Sequence, residues 1–173
     1  PFVKTIEKKA FNLHATKHVS NRKELIIPPF VTSIGQYAFS GAMKMTKITF
    51  PSSVLITKIE DNLFDTCSSL VEFTIPPSVK IIGEGSFKEC SSLKIINIPP
   101  SVISIGNSAF ENCTSLEEIC IPSAKSIGES AFRDCTALKK VNIPSVEFIS
   151  DIAFNNCYSL IQIFIPKSYP SKS

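Results

Sequence analysis

The chain repeats one short pattern every 22 to 25 residues, and this period constrains the fold more than any other feature of the sequence. Segments of the form Cys-x-x-Leu begin at five regularly spaced positions, Cys67, Cys90, Cys113, Cys135 and Cys157. Each is followed by an apolar-x-apolar-Pro run, as in the Phe-Thr-Ile-Pro of residues 73–76. A unit of this size cannot bury its own apolar face, so neighbouring units must stack into a solenoid. We therefore expect one domain over residues 1–166, followed by a polar C-terminal tail over 167–173.

The unit between Leu93 and Cys113 shows how each repeat is expected to fold. Residues 94–98 alternate in polarity and are rich in β-branched side chains, which predicts a strand. Two prolines end this strand, because proline cannot donate to a sheet ladder, and residues 107–112 predict one short helical turn on the way back. Parallel strands about 4.8 Å apart would then stack into an α/β solenoid of about seven rungs.

The first unit, residues 1–28, is a degenerate copy of the repeat. Its Ala10-Phe11 pair aligns with the Ala38-Phe39 pair of the second unit, but the stretch over residues 12–23 is longer than in later units. We expect this insertion to form a bulged loop or a longer helical turn.

The composition excludes several classes of protein. Hydrophobic residues make up 43% of the chain and charged residues 19%, so the chain can build a continuous core and is not disordered. The net charge of +3 is spread over both signs, whereas a nucleic-acid surface needs a basic face. No segment approaches the roughly 18 uninterrupted apolar residues of a membrane helix. The chain opens with Pro1 and has no recognisable secretory signal, as expected of a mature or excised segment.

The repeats resemble the leucine-rich repeat class called BspA-like, or treponemal-type. Its pattern is roughly L-x-x-I-x-I-P-x-S-V-x-x-I-G-x-x-A-F-x-x-C, and residues 93–113 carry it closely. The match is good over residues 29–166, although the Cys and Leu positions are lost at Ala42 and Met45. The resemblance implies a curved horseshoe with parallel strands on its concave side and short 3-10, helical or extended returns on its convex side. It also implies an adhesive or surface-displayed role, because many members of the class lie on microbial and protist cell surfaces.

The cysteines and histidines are the residues most able to carry chemistry. Five of the six cysteines share one position of the repeat, and we expect a column of buried thiols that pack as small hydrophobic side chains. Cys120 lies between Ile119 and Ile121, so strand alternation points it outward as an accessible thiol. His14 and His18 have the i, i+4 spacing of some zinc sites, yet no acid or cysteine accompanies them, which favours a solvated loop.

The sequence offers no recognisable catalytic arrangement. Because the chain has only two histidines, a Ser-His-Asp or Cys-His arrangement has little support. A Gly-rich phosphate loop of the P-loop or Rossmann type is also missing from the sequence. We therefore predict that the chain is not an enzyme and that it binds no cofactor and no metal.

The outward positions of the predicted strands form the candidate binding face. Two residues of each strand point away from the core, because side chains alternate along a strand. These positions are Lys47, Thr49, Glu72, Thr74, Ile95, Asn97, Glu118, Cys120, Lys140, Asn142, Gln162 and Phe164. Beside them, the acidic residues 117–118 lie one rung from the basic residues 139–140, which would orient a charged partner. Ile161 and Phe164 add a small apolar patch at the C-terminal rung.

The repeat and this face together favour a non-catalytic protein-binding module. We expect an adhesin-like protein, secreted or at the cell surface, that binds host or matrix proteins through its concave face. The alternative is an intracellular scaffold or regulator that binds a protein partner in the cytoplasm. We expect no nucleic-acid binding and no membrane insertion, and we expect self-association through Ile161 and Phe164.

Overall fold

The computed structural model describes residues 3–11 and 23–169, which form a stack of short parallel strands. The strands in this part of the chain are β1 (Thr5–Ile6), β2 (Glu24–Ile26), β3 (Ser33–Ile34), β4 (Lys47–Thr49), β5 (Lys58–Ile59), β6 (Glu72–Thr74), β7 (Ile81–Ile82), β8 (Ile95–Asn97), β9 (Ser104–Ile105), β10 (Glu118–Cys120), β11 (Ser126–Ile127), β12 (Lys140–Asn142), β13 (Phe148–Ile149) and β14 (Gln162–Phe164). The prediction of a parallel-strand solenoid is confirmed.

The strands form two columns that run along the solenoid. The even-numbered strands have three residues each and form the long-strand column, in which β2 pairs with β4, β6 with β8, and β12 with both β10 and β14. The odd-numbered strands have two residues each, and β5, β7, β9, β11 and β13 form one continuous sheet. Pairing always joins equivalent residues of neighbouring units, as in Glu118 beside Lys140 and Lys140 beside Gln162. Equivalent side chains therefore stand in rows along the stack.

The rung count is lower than predicted. Six complete turns, each with a short strand, a return and a long strand, run from β3 to β14. The prediction of about seven rungs is therefore wrong for the described residues. The insertion that lengthens the first unit falls on residues 12–22, so the expected bulge lies outside the described residues, together with His14 and His18.

The returns between the two columns contain no helix in the described residues, so the predicted helical turn at 107–112 is wrong. Ser108 and Asn112 have positive φ values of 51° and 61°, which a right-handed helix does not allow. The backbone between them forms hydrogen bonds across rungs as well as within the turn, where the N–H of Glu111 donates to the carbonyl of Ser108 at 3.1 Å. The N–H of Phe110 donates to the carbonyl of Ala131 in the next unit at 2.7 Å. Extended turns linked to their neighbours replace the helix.

Rows of identical side chains fill the core. The phenylalanine rings of successive returns stack with centroids 5.1 to 5.6 Å apart. The rings in this stack are Phe11, Phe39, Phe64, Phe87, Phe110, Phe132 and Phe154. Each interior ring is covered on both sides, so every rung buries the apolar surface of its neighbours.

Gly106 shows why the repeat carries a glycine after the short strand. A Cβ built on Gly106 would lie 2.7 Å from the backbone nitrogen of Glu84 and 2.7 Å from the carbonyl carbon of Gly83. Both are backbone atoms of the preceding rung, which cannot move away without opening the stack. Neighbouring rungs therefore come so close at this position that only glycine, which has no Cβ, fits between them.

Candidate binding face

All twelve residues predicted for the binding face lie on the surface of the long-strand column. In β4 to β12 the middle residue of each long strand is buried and its two neighbours are exposed, as with buried Ile119 between exposed Glu118 and Cys120. In β14 all three residues are exposed, because no further rung covers them in the described chain. We call this surface the long-strand face. The structure places the predicted residues together in rows, and their role in binding stays a prediction.

Sequence reasoning missed the first rung of this face. Glu24 pairs in register with Lys47, and Ile26 pairs with Thr49, so β2 extends both rows by one position. Ile26 is 73% exposed, which makes it one of the most exposed large apolar side chains described. The Leu-Ile-Ile-Pro run of residues 25–28 has the same apolar-x-apolar-Pro form as the later units and could have identified this rung.

The charged residues of the face neutralise one another. Lys140 Nζ lies 2.8 Å from Glu118 Oε1, and Lys47 Nζ lies 3.3 Å from Glu72 Oε1. Beside them, the hydrogen bond and charge of the Lys139 ammonium, 2.7 Å from the Glu117 carboxylate, lower the pKa of Glu117. The acidic and basic pairs are one rung apart as predicted, but each acid is bonded to a base. The face therefore presents ion pairs instead of two separate charged patches.

The third position of the long strands is an uncharged row. Asn97 Nδ2 donates to Thr74 Oγ1 at 3.3 Å, and Asn142 Nδ2 lies 3.5 Å from Cys120 Sγ, within reach of a weak bond to sulfur. Cys120 is exposed, as strand alternation predicts. These side chains supply hydrogen-bond donors and acceptors to a ligand without the cost of desolvating a charge.

The strand pairing of the long-strand column is interrupted twice, between β4 and β6 and between β8 and β10. Beside the first interruption, the N–H of Val71 still donates to the carbonyl of Thr46 at 3.3 Å. Where strands are paired, the residue that follows each long strand donates its N–H to the next strand. These bonds are Ile27 to Thr49 at 2.9 Å, Ile75 to Asn97 at 3.0 Å, Ile121 to Asn142 at 2.9 Å and Ile143 to Phe164 at 2.9 Å. Among the described residues, the N–H groups of Phe50 and Ile98 make no such bond. We call these two gaps the first and second seams.

A cleft opens at each seam. The cleft at the first seam has a volume of about 180 Å³, and the cleft that reaches the second seam has a volume of about 300 Å³. Behind the first seam, Phe50 and Phe73 occupy core positions that hold smaller aliphatic side chains in most other units, with their ring centroids 5.6 Å apart. Thr74 lines both clefts, so the clefts adjoin along the third-position row.

The C-terminal rung leaves part of the core uncovered. Ile161 is 77% exposed, and the normally buried positions of Ile163 and Ile165 are also exposed. A cavity of about 510 Å³ opens here, lined by Ile163, Ile165 and Tyr169 among others. The Tyr169 hydroxyl accepts a 3.1 Å hydrogen bond from the N–H of Ile149, at the edge of the short-strand sheet. Tyr169 thus covers one edge of the rung and leaves the β14 edge open.

The thiol column is structural. Each thiol donates a hydrogen bond of 3.0 to 3.2 Å to the carbonyl of a phenylalanine in the preceding unit. Burial raises the pKa of Cys67 to about 12 and that of the half-buried Cys157 to about 11. All six cysteines are free, and the prediction of a buried thiol column is confirmed for Cys67, Cys90, Cys113 and Cys135. At neutral pH these thiols are protonated, which makes them poor nucleophiles.

No group of three or more His, Cys, Asp or Glu side chains within the described residues is arranged to hold a metal ion. In the same part of the chain, no helix has the length and apolar character needed to cross a membrane.

Comparison with known proteins identifies the family. The sequence profile of the BspA type leucine rich repeat region matches residues 4–125 and 57–171, in six copies. The chain therefore belongs to the BspA-type leucine-rich repeat family. This is a repeat fold of the protein-interaction type. No curated protein matches the chain.

Two solved structures share this fold closely. A leucine-rich repeat protein from Bacteroides ovatus aligns with a TM-score of 0.80 and 27% identity, over 95% of this chain and 47% of its own. The leucine-rich repeat protein of T. pallidum aligns with a TM-score of 0.78 and 28% identity, over 92% of this chain and 72% of its own. The chain thus spans about half the length of the first relative and nearly three quarters of the second.

Proposed function

We propose that this chain is a non-catalytic module that binds a partner protein against the long-strand face. The observation that carries the proposal is the continuity of this face, whose two rows of exposed side chains run over the seven long strands from β2 to β14. Its charged side chains from Lys47 to Lys140 are paired, so the exposed apolar side chains of Ile26, Ile95 and Phe164 supply the contact area that can be desolvated at low cost. We take this face to be the concave side of the horseshoe.

In the more specific form of the proposal, the chain is an adhesin-like protein, secreted or at the cell surface, whose partners are host or matrix proteins. Its support is the resemblance of the repeats to a class in which many members are displayed on cell surfaces. An intracellular scaffold or regulator is the second candidate, and the six free cysteines favour it. Free thiols persist most readily in a reducing compartment, and Cys120 is exposed to oxidants.

A capture experiment with matched variants tests the face. The purified chain would be exposed to matrix and serum proteins, and separately to a cytosolic extract. The test variant combines Ile95→Ser and Phe164→Ser, and its control combines Ile81→Ser and Phe148→Ser, which are exposed apolar residues of the short-strand column. We expect only the test variant to lose the captured protein. Equal capture by both variants would show that the long-strand face is not the binding surface.

The source of the captured protein separates the two candidates. A specific partner among the matrix or serum proteins, lost in the test variant, supports the adhesin-like function. A specific partner found only in the cytosolic extract supports the scaffold and removes the adhesin-like function.

We also propose that the open C-terminal rung mediates concentration-dependent self-association. The β14 edge exposes backbone groups next to the apolar side chains of Ile161, Ile163 and Phe164. Such edges pair readily with another chain. Sedimentation velocity over a range of concentrations should show dimers of the native chain and monomers of the Ile163→Lys variant. A native chain that stays monomeric at high concentration would contradict this proposal.

A further inference from the structure

Each seam lacks one backbone hydrogen bond that the paired long strands make. At the first seam the two groups of this missing bond are the N–H of Phe50 and the carbonyl of Thr74, and at the second they are the N–H of Ile98 and the carbonyl of Cys120. Equivalent groups bond directly wherever the long strands are paired. A bound ligand would cover these groups, and backbone groups that are taken out of water need a hydrogen-bond partner. A ligand group that both donates and accepts would satisfy each seam.

The surroundings of the seams select an uncharged ligand. The second cleft is lined by Thr74, Asn97 and Cys120 with apolar residues and two prolines, and it contains no charged side chain. At the first seam, the only charged groups are Lys47 and Glu72, which are bonded to each other. A charged ligand would lose its hydration in these clefts without finding a free counter-charge.

The distance between the seams selects the conformation of the ligand. The seams are two rungs apart, which corresponds to about 9.6 Å at the usual strand spacing. A polyproline II segment has three residues per turn and rises about 9.3 Å in that turn, so every third residue faces the same way. In a β-strand, every second residue points the same way, which is a repeat of about 6.7 Å. Two residues of a β-strand that point the same way therefore cannot lie over both seams. Polyproline II also leaves its N–H and carbonyl groups free, since it has no internal hydrogen bonds.

We propose that the two clefts bind one uncharged segment of a partner protein in the polyproline II conformation, lying across the strands over Thr74. Peptide groups three residues apart bridge the Phe50–Thr74 seam and the Ile98–Cys120 seam. Each bridging residue donates its own N–H, so it is not proline, and the pattern is a non-proline residue at every third position. This inference rests on the proposed protein-binding function and specifies the segment that the partner offers.

An NMR titration with a defined peptide tests the inference. The probe is an acetylated and amidated (Pro-Pro-Ala)₄ peptide, which is uncharged and has an N–H at every third residue. We expect saturable shifts of the backbone amide resonances of Phe50 and Ile98. The shifts should disappear in Thr74→Arg, which fills both clefts from an exposed position. They should persist in Thr136→Arg, which changes an equally exposed threonine on a return, outside the long-strand face and both clefts.

Two comparison ligands make the result specific. A dodecaproline peptide keeps the conformation but has no N–H to donate, so its apparent Kd should be at least tenfold weaker. Cellohexaose represents an uncharged glycan, and we expect it to cause no shift. The inference would be overturned if dodecaproline or cellohexaose bound as tightly as the probe. It would also be overturned if the probe caused no saturable shifts, or if it still bound the Thr74→Arg variant. Capture of a protein partner that depends on Ile95 and Phe164 would in each case leave the broader proposal standing.

Discussion

The thiol column predicts that the protein loses stability steeply under mildly alkaline conditions. Cys67, Cys90, Cys113 and Cys135 are fully buried, and burial raises the pKa of each thiol above its ordinary value of 9.0. The unfolded chain therefore releases these protons at a lower pH than the folded chain. The stabilisation is complete below pH 9 and is lost as the pH rises toward the folded pKa, which is about 12 for Cys67.

The size of the effect follows from the number of buried thiols. At pH 10, one unit above the ordinary thiol pKa, ionisation lowers the free energy of the unfolded chain by about 1.4 kcal/mol for each thiol. Four buried thiols together remove about 6 kcal/mol from the free energy of unfolding. A typical domain is stable by only about 5 to 15 kcal/mol, so a large part of the stability should disappear between pH 8 and pH 10.

Urea unfolding followed by circular dichroism at pH 8, 9 and 10, with reductant present, measures this loss. Cys113→Ser keeps a hydroxyl donor for the Phe87 carbonyl and removes one ionisable group. It should lose about 1.4 kcal/mol less than the native chain between pH 8 and pH 10. The exposed Cys120→Ser serves as the control and should follow the native chain. The same loss in Cys113→Ser and in the native chain would refute the reasoning.

Three further predictions concern the stack and its surface. Phe110→Ala, at an interior ring, should lower the free energy of unfolding by about 3 to 5 kcal/mol. Phe154→Ala should lower it less, because a neighbouring ring covers only one side of Phe154. Chemical denaturation of both variants measures the difference. Gly106→Ala should lower the free energy of unfolding by about 1 to 3 kcal/mol, because the added Cβ meets the backbone of the preceding rung. A thermal melt that matches that of the native chain would contradict this contact. Exchanging Glu118 and Lys140 should change the stability by less than about 1 kcal/mol, since the pair is exposed, and the urea midpoint should barely move.

The sequence predicted the rows of the binding face because they depend on local rules. Side chains alternate along each strand, and the recurring proline fixes where each strand ends, so the outward positions follow from the register of the repeat. Glu118 and Cys120 lie outward and Ile119 lies inward for this reason. Glu24 and Ile26 follow the same rule, and they were missed because the first unit is degenerate.

The returns were predicted less well because local propensity did not decide them. Residues 107–112 have the length of a helical turn, but the N–H of Phe110 finds its acceptor in Ala131 of the next unit. Repeated contact between rungs supplies this bond at every level of the stack. Tertiary packing therefore overrides the local preference, and Ser108 and Asn112 adopt positive φ to permit it.

The sequence by itself determined the period, the parallel solenoid and the set of side chains on the long-strand face, because these follow from spacing and alternation within one unit. Only the tertiary structure decided which neighbouring long strands pair and which do not. The seams beside Phe50 and Ile98 depend on the fit between one rung and the next, and so does the pairing of Glu118 with Lys140. Contacts of this kind join residues that are 22 to 25 positions apart, and their geometry is set by how the side chains of two rungs pack together.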